Sequence, residues 1–185
     1  MNQVEVFTIG HSNHPVDQFI GLLCQHGIES LVDVRRFPTA RRYPQFNQPN
    51  LSNSLAKQDI GYHWLEALGG HRKRRSSDLE SPNLGIKDEQ FRNYADYMLT
   101  DDFQDGVETL LNLAKQQRAA IMCAEASFLQ CHRRLVSDYL LANGIDVQHI
   151  LSTGELKPHP VMCGARVKNG VVTYPEVLPL FDALD

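Results

Sequence analysis

The chain has 185 residues, of which 42% are hydrophobic, and its formal net charge at pH 7 is −4. This length and apolar content suffice for one sizeable hydrophobic core, so we expect a single domain over residues 1–185. No stretch approaches the roughly 20 apolar residues of a membrane-spanning helix, and the first residues lack the pattern of a secretory signal. The sequence therefore argues against a membrane or secreted protein and predicts a cytoplasmic one with no membrane partner.

The N-terminal part predicts strands that alternate with helices. Runs rich in Val, Ile, Phe and Thr indicate strands, and apolar residues at helical spacing indicate helices. In chain order, these are a strand at 4–9, a helix at 15–26, a strand at 30–34, a helix at 51–58 and a strand at 60–65. Residues 37–49 contain three prolines and no periodicity, which predicts a loop.

The middle of the chain is polar and without periodicity. Residues 66–87 include the basic run His71-Arg72-Lys73-Arg74-Arg75. A stretch of this length without structure of its own is either functional or mobile. We expect a flexible basic loop here.

The C-terminal part continues the alternation. In chain order, it predicts helices at 88–99 and 102–117, a strand at 119–123, a helix at 131–143 and a strand at 146–151. Residues 161–174 resemble a hairpin that turns at Lys168-Asn169-Gly170, since Asn-Gly favours the type I′ turn.

Short apolar strands that alternate with helices predict an α/β fold. We expect a single-domain three-layer sandwich with a mostly parallel sheet and a C-terminal hairpin. Ligands of such sheets bind beyond the carboxyl ends of the strands. By this rule, we expect four segments to lie along one edge of the sheet: residues 10–12, 33–36 and 123–125, and His149.

Cations are concentrated in one segment. Residues 35–75 hold nine Lys or Arg against two acids, whereas the rest of the chain holds nine bases and twenty acids. A solvated basic face is one explanation. Arginine pairs interleaved with Pro, Tyr and Phe favour an anion clamp instead, and Arg35, Arg36 and Arg41 are its candidate residues.

Residues 121–134, Ile-Met-Cys-Ala-Glu-Ala-Ser-Phe-Leu-Gln-Cys-His-Arg-Arg, concentrate reactive side chains. Cys131 is predicted in the first turn of a helix, where the helix dipole and the neighbouring cations lower a thiol pKa. Cys131 and Cys123 are equally explained as buried structural cysteines. Glu125, just beyond a buried strand, is a candidate general acid/base or a group that holds an arginine or a histidine in place.

Spacing argues against two common cysteine sites. Cys123 and Cys131 are eight residues apart, which matches no common zinc motif, and neither begins the C-x5-R pattern of cysteine phosphatases. We therefore expect no metal ion, with a site built from Cys123, Cys131, His132 or His11 as an open alternative. On a helix, His132 would face away from Cys131 and so would serve a group from another strand.

The other two strand ends offer binding groups. His11 and Ser12 after Gly10 resemble an anion-positioning turn, although Ser12 would also serve as a helix cap. Asp33 ends its strand beside two arginines, where it would stay ionised and hold one of them, either for binding or as a structural ion pair.

The order of the motifs in this chain resembles that of a known family. These motifs are Gly10-His11-Ser12, Asp33-Val34-Arg35, Pro44-Gln45-Phe46, Leu68-Gly69-Gly70, Phe91-Arg92-Asn93-Tyr94-Ala95, Cys123-Ala124-Glu125 and Cys131-His132-Arg133. They are similar to those of the domain-of-unknown-function family 488 over nearly the whole chain. The resemblance implies a compact α/β fold and no settled activity.

Two functional hypotheses follow. In the first, the protein is an enzyme that acts on a phosphate-bearing substrate, plausibly a nucleotide or nucleic acid. Arg35, Arg36, Arg41 and Arg133 with Ser12 and Asp33 would bind the substrate, and Glu125, Cys131, His132, Cys123 and His11 would carry the chemistry. In the second, it is a non-catalytic nucleic-acid-binding or redox-sensing module. The sequence indicates no cofactor, substrate identity or oligomeric state.

Overall fold

The structure, a computed structural model, describes residues 4–73 and 80–176. Its strands are β1 (Glu5–Gly10), β2 (Ser30–Asp33), β3 (Gly61–Trp64), β4 (Ala119–Cys123), β5 (Asp146–Ile150), β6 (Leu156–Pro158), β7 (Arg166–Lys168) and β8 (Val171–Thr173). Its helices are α1 (Val16–Gln25), α2 (Gln48–Ala56), α3 (Glu89–Tyr97), α4 (Asp101–Ala114) and α5 (Arg133–Ala142).

Six strands form one sheet in the order β3-β2-β4-β1-β5-β6. The first five are parallel to their neighbours, and β6 pairs antiparallel with β5. Strands β7 and β8 form a separate antiparallel hairpin. The predicted α/β fold with a mostly parallel sheet and a C-terminal hairpin is confirmed.

Helices cover both faces of the sheet because its central strands are apolar on both faces. On one face, α1 and α2 bury Phe19, Leu23, Leu51 and Leu55 against alternate residues of β1, β2 and β4. On the other face, α3, α4 and α5 pack in the same way, and Cys123 belongs to this layer.

Strand register places the predicted segments at the same level. Gly10 lies opposite Cys123, and Asp33 lies opposite Met122. Strands β1, β2 and β4 therefore end at the same level, and the residues that follow them lie close together beyond that edge of the sheet. His149 differs from the prediction, because its register partner is Thr8, two residues before the end of β1.

Helix α5 begins two residues later than predicted. Residues Phe128–Gln130 form a 3-10 turn, after which Cys131 has an extended backbone, with φ −132° and ψ 147°. The prediction that Cys131 lies in the first turn of a helix was therefore wrong. The sequence pattern did not distinguish the 3-10 turn from the helix that follows it.

Two C-terminal details also differ from the prediction. Strand β6 was missed because it is short, exposed and ends in Pro158. The hairpin is confined to residues 166–173, and its turn residues Asn169 and Gly170 have φ of 52° and 77°, as a type I′ turn requires.

The predicted basic loop at 66–87 has packed ends. Residues Glu66–Leu68 form a 3-10 turn in which Leu68 is fully buried, and Asn83 and Ile86 are buried as well. Residues 74–79 of this loop lie outside the described residues. Within the described ranges, no helix has the length and apolar character needed to cross a membrane.

Candidate active site

A cavity of about 390 Å³ lies beyond the carboxyl ends of β2 and β4, and we call it the first cavity. It brings together residues that were predicted from three separate segments: Arg35, Arg36, Cys123, Glu125, Cys131 and His132. Residues from the α3 layer, Gln90, Phe91 and Tyr94, complete its wall. Its volume is in the range of small-molecule binding sites.

A second cavity of about 510 Å³ adjoins the first. It is lined by the β1 end, including His11 and Ser12, and by the Arg41 and Arg42 loop. Thr39, Ala124 and Glu125 line both cavities. The residues that follow β1, β2 and β4 thus form one composite site, with Glu125 at the junction.

Cys123, Cys131 and His132, which we call the thiol cluster, lie together in the wall of the first cavity. The His132 Nδ1 atom lies 3.9 Å from the Sγ atom of Cys123 and 3.7 Å from that of Cys131. The prediction that His132 faces away from Cys131 was therefore wrong, since it assumed a helix at these two residues. The Cys123 thiol also donates to Glu125 Oε2 at 3.0 Å.

Arg133 lies beneath the thiol cluster and lines neither cavity. It is 1% exposed, and its Nε donates to Cys131 Sγ at 3.3 Å. Its two terminal nitrogens donate to Thr8 Oγ1 and to the backbone oxygen of Glu125. Within the described part of the chain, Arg133 has no carboxylate partner, so a Cys131 thiolate is its available counter-ion.

The pKa values of the two thiols are shifted in opposite directions. Burial raises the pKa of Cys131, but the hydrogen bond with Cys123 and the charges of Arg133 and His132 outweigh it and hold that pKa well below its usual range. The hydrogen bond with Cys131, followed by burial, raises the pKa of Cys123 well above its usual range. Cys131 is therefore the thiolate of the pair and Cys123 the thiol.

Asp33, Arg35 and His11 form a buried polar network beside the thiol cluster. The Arg35 guanidinium donates to both carboxylate oxygens of Asp33 and to the backbone oxygen of Phe46. Its remaining nitrogen lies 3.4 Å from His11 Nε2, and Tyr62 donates its hydroxyl to Asp33 at 2.7 Å. Arg35 is thus held rigidly, with most of its donors already bonded.

His11 is a neutral group in this network. Burial lowers its pKa to about 4, and the charge of Arg35 acts in the same direction. Its Nδ1 lies 2.9 Å from the carbonyl of Ser12, which places the proton on Nδ1 and leaves Nε2 to accept from Arg35. The backbone N–H groups of His11 and Ser12 donate to Cys123 and Ala124, so they are not available to hold an anion.

The cations of the basic segment have different environments. Arg36 forms an ion pair with Glu66, and Arg72 donates to Glu66 and Ala67 backbone oxygens under the ring of Tyr97. Arg41 and Arg42 are exposed, line the second cavity and have no ion pair within the described residues. Among the described residues, those two are the available cations of the composite site.

A chain of buried hydrogen bonds, which we call the buried relay, runs from Arg133 into the core. Its members are Arg133, Thr8, His149, His159 and Asp138, joined by contacts of 3.2, 2.7, 2.9 and 2.8 Å. Because Arg133 can only donate and Asp138 accepts, every bond points the same way with both histidines neutral. Burial lowers the pKa of His149 to about 3, which agrees with this arrangement.

Sequence reasoning missed several residues of the site. The buried relay could not be seen, because its members are up to 151 positions apart in the chain. Gly70 and Tyr94 contact His132: a Cβ at residue 70 would lie 2.9 Å from its Nδ1, and the Tyr94 ring lies 5.0 Å from the imidazole. The Leu-Gly-Gly and Tyr-Ala motifs were the only signals for these two.

Comparison with known proteins identifies the family. The family model described as "Domain of unknown function DUF488" matches residues 15–140, which is more than half of the chain. The chain belongs to the DUF488 family. Residues 15–140 of the DUF488 match include Arg35, Arg41 and the whole thiol cluster, whereas His11, Ser12 and His149 lie outside it. No curated protein and no solved structure matches the chain.

Proposed function

We propose that this protein is an enzyme that acts on a small phosphate-bearing substrate, such as a nucleotide or the end of a nucleic acid. The observation that carries the proposal is the position of Glu125, which lines both the first cavity, with the thiol cluster, and the arginine-bearing second cavity. A substrate that spans the junction would place its phosphate beside cations and its reacting atom beside the thiol cluster.

Arg41 and Arg42 are the phosphate-binding residues in this proposal. Both are exposed at the second cavity and are not neutralised by a carboxylate of the described residues. Guanidinium groups form strong, charge-assisted hydrogen bonds with phosphate oxygens. Arg35 and Arg36 hold the loop that carries them, through Asp33 and Glu66 respectively.

Glu125 is the proton-transfer residue. Its carboxylate is exposed, and its Oε2 lies 3.0 Å from the Cys123 thiol, so it contacts both solvent and the thiol cluster. A carboxylate in this position can accept a proton from an attacking group or return one to a leaving group. His11, which is buried and hydrogen-bonded to Arg35, acts through that arginine as a positioning residue.

Steady-state kinetics on three variants test the proposal. Wild-type protein is screened against nucleoside mono-, di- and triphosphates and short oligonucleotides, with chromatography of the products. With the substrate found, Glu125→Gln is expected to lower kcat by about 10²- to 10⁴-fold with little change in KM. The double variant Arg41→Ala/Arg42→Ala is expected to raise KM by about 10- to 100-fold. Arg166→Ala, an exposed arginine of β7, is the control.

The proposal fails if no substrate of this panel is turned over, or if Glu125→Gln turns over as fast as wild type. Oligonucleotide binding that weakens with salt and is indifferent to Glu125→Gln, without turnover, would favour the non-catalytic nucleic-acid-binding alternative.

A further inference from the structure

The thiol cluster has the donor set of a metal site. Cys123 ends β4, and Cys131 and His132 precede α5, so the 3-10 turn between them folds the chain back on itself. One sulfur or nitrogen atom from each residue lies within 4.8 Å of the other two. Two thiolates and an imidazole are ligands that select zinc over the hard cations magnesium and calcium.

The spacing of these atoms matches a tetrahedral ion. Zinc lies about 2.3 Å from sulfur and about 2.0 Å from nitrogen, so a tetrahedral site has sulfur-to-nitrogen edges of about 3.6 Å. The two sulfur-to-Nδ1 distances are 3.9 and 3.7 Å. Shifts of a few tenths of an ångström would therefore bring each sulfur and Nδ1 to the separation of two ligands of one zinc ion. The two sulfurs lie within 4.8 Å of each other, and a tetrahedral site needs about 3.8 Å between them.

We propose that Cys123, Cys131 and His132 bind a zinc ion at the floor of the first cavity. The inference deepens the proposed function, on which it rests for the role of the ion, but zinc binding itself is measured without a substrate. All three residues line the cavity, so a fourth coordination position is open to water or substrate, as in catalytic zinc sites. Such an ion supplies a bound water of lowered pKa or polarises a substrate oxygen.

The surroundings of the cluster balance the charge of the ion. Two thiolates with Glu125 carry three negative charges, which offset the buried guanidinium of Arg133 and a divalent cation. Arg133 Nε also donates to Cys131 Sγ at 3.3 Å, and hydrogen bonds of this kind orient metal ligands. Gly70 packs against His132 Nδ1, where any side chain would press on the ligand atom.

The spacing of the two cysteines, eight residues apart, matches no common zinc motif and left this site only as an alternative at the level of sequence. Common zinc motifs describe ligands on short loops or on a single helix. Here one ligand comes from a strand end and two come from the segment that follows a 3-10 turn, so eight residues separate sulfurs that the fold brings together.

Metal analysis of the full-length protein under reducing conditions tests the proposal. Wild-type protein is expected to bind about one zinc ion per chain. Cobalt(II) alone, added to the metal-free protein, is expected to give the thiolate charge-transfer band and the intense visible bands of a tetrahedral site. Cys123→Ser and His132→Asn are expected to lose both signals. The exposed cysteines provide matched controls, and Cys24→Ser and Cys163→Ser are expected to keep them.

Circular dichroism of the metal-free variants measures whether each variant is still folded. A variant that retains its fold and loses the cobalt bands has lost only the metal site. The proposal is overturned if the wild-type protein takes up neither zinc nor cobalt(II). It is also overturned if the Cys123→Ser and His132→Asn variants bind zinc and cobalt(II) as the wild type does. Arg41→Ala/Arg42→Ala is expected to bind zinc normally. Zinc binding without turnover would therefore refute the enzymatic role and leave the metal site standing.

Discussion

Arg133 is the residue on which the candidate site depends most strongly. Its guanidinium is almost completely buried and connects Cys131, Thr8 and the Glu125 backbone. Removing one partner of a buried charged pair leaves the charge of the other partner buried without a counter-ion. Because three segments share this one side chain, its loss affects both stability and site geometry.

We expect Arg133→Met to lower the free energy of unfolding by about 3 kcal/mol. Arg134→Met is the matched control, since Arg134 is the adjacent residue and its Nε has no hydrogen-bond partner within the described residues. For the control, we expect a loss below about 1 kcal/mol. Urea denaturation measures both, and equal losses for the two variants would refute the special role of Arg133.

Gly10 is required because the backbone of Glu125 crosses directly over it. A Cβ at residue 10 would overlap the Glu125 carbonyl group, and Ala126 Cα would be 3.0 Å away. Both obstacles are backbone atoms, so relief of the overlap must move the segment that carries Glu125. The prediction of a turn after Gly10 gave no hint of this close approach.

We expect Gly10→Ala to cost about 1–3 kcal/mol of unfolding free energy, because it overpacks a rigid contact. Gly21→Ala tests the same change in α1, where a Cβ meets nothing within 4 Å. There we expect a gain of about 0.5–1 kcal/mol from helix propensity. Thermal or urea unfolding measures both. A Gly10→Ala protein as stable as wild type would contradict the contact.

At the residue scale, the sequence predicted the identities of the site residues better than their roles. Arg35 and Arg36 were predicted to bind an anion, but both form ion pairs within the protein. Asp33 was predicted to hold one of the two arginines and pairs with Arg35, but the partner of Arg36 could not be identified from the sequence, since Glu66 lies 30 positions away. Residues close in space and distant in sequence leave no local pattern.

At the level of elements, the buried relay joins β1, β5 and α5. Its hydrogen bonds point from Arg133 to Asp138 only while His149 and His159 are neutral. Protonation of His149 would add a buried charge close to Arg133 and would reverse a hydrogen bond. The packing of these elements is therefore coupled to pH.

Stability is expected to fall as the pH drops below about 6.5. Burial lowers the pKa of His149 to about 3, and burial likewise lowers that of His11 to about 4. Between these values and 6.5, the unfolded chain binds more protons than the folded one, so acid favours unfolding. Each histidine contributes a slope of up to about 1.4 kcal/mol per pH unit.

Urea denaturation at a series of pH values measures this slope. His149→Gln is expected to reduce the slope between pH 6 and pH 4 by about half, because His11 still contributes. His63→Gln, at an exposed histidine of β3, is expected to leave it unchanged. An unaltered slope in His149→Gln would show that His149 takes up its proton as readily in the folded protein as in the unfolded chain, which would contradict a lowered pKa in the buried relay.

Boundaries of elements were predicted well where an apolar strand or a capped helix defines them. Asp88 and Thr100 cap α3 and α4 by accepting backbone hydrogen bonds, and both helices begin within one residue of the prediction. The start of α5 was predicted less well, because His132 occupies the cap position without a side-chain hydrogen bond. Because α5 was predicted to begin at residue 131, His132 was not expected to lie close to both thiols.

At the level of the whole molecule, alternation of strands and helices predicted the α/β fold. The order β3-β2-β4-β1-β5-β6 was not predictable, since neighbours in this sheet are often distant in the sequence. The rule that ligands bind at the carboxyl ends of parallel strands nevertheless identified the correct edge for three of the four segments. Only His149 was misplaced, because it precedes the end of its strand.

The central claim is that the ends of β1, β2 and β4 form one site that receives a phosphate-bearing ligand. Crystals soaked in tungstate, a heavy analogue of phosphate, test it directly by anomalous diffraction. The account predicts an anomalous peak in the second cavity beside Arg41 and Arg42, and no such peak in crystals of the Arg41→Ala/Arg42→Ala variant. No peak in either cavity of wild-type crystals, or an undiminished peak in the variant, would contradict it.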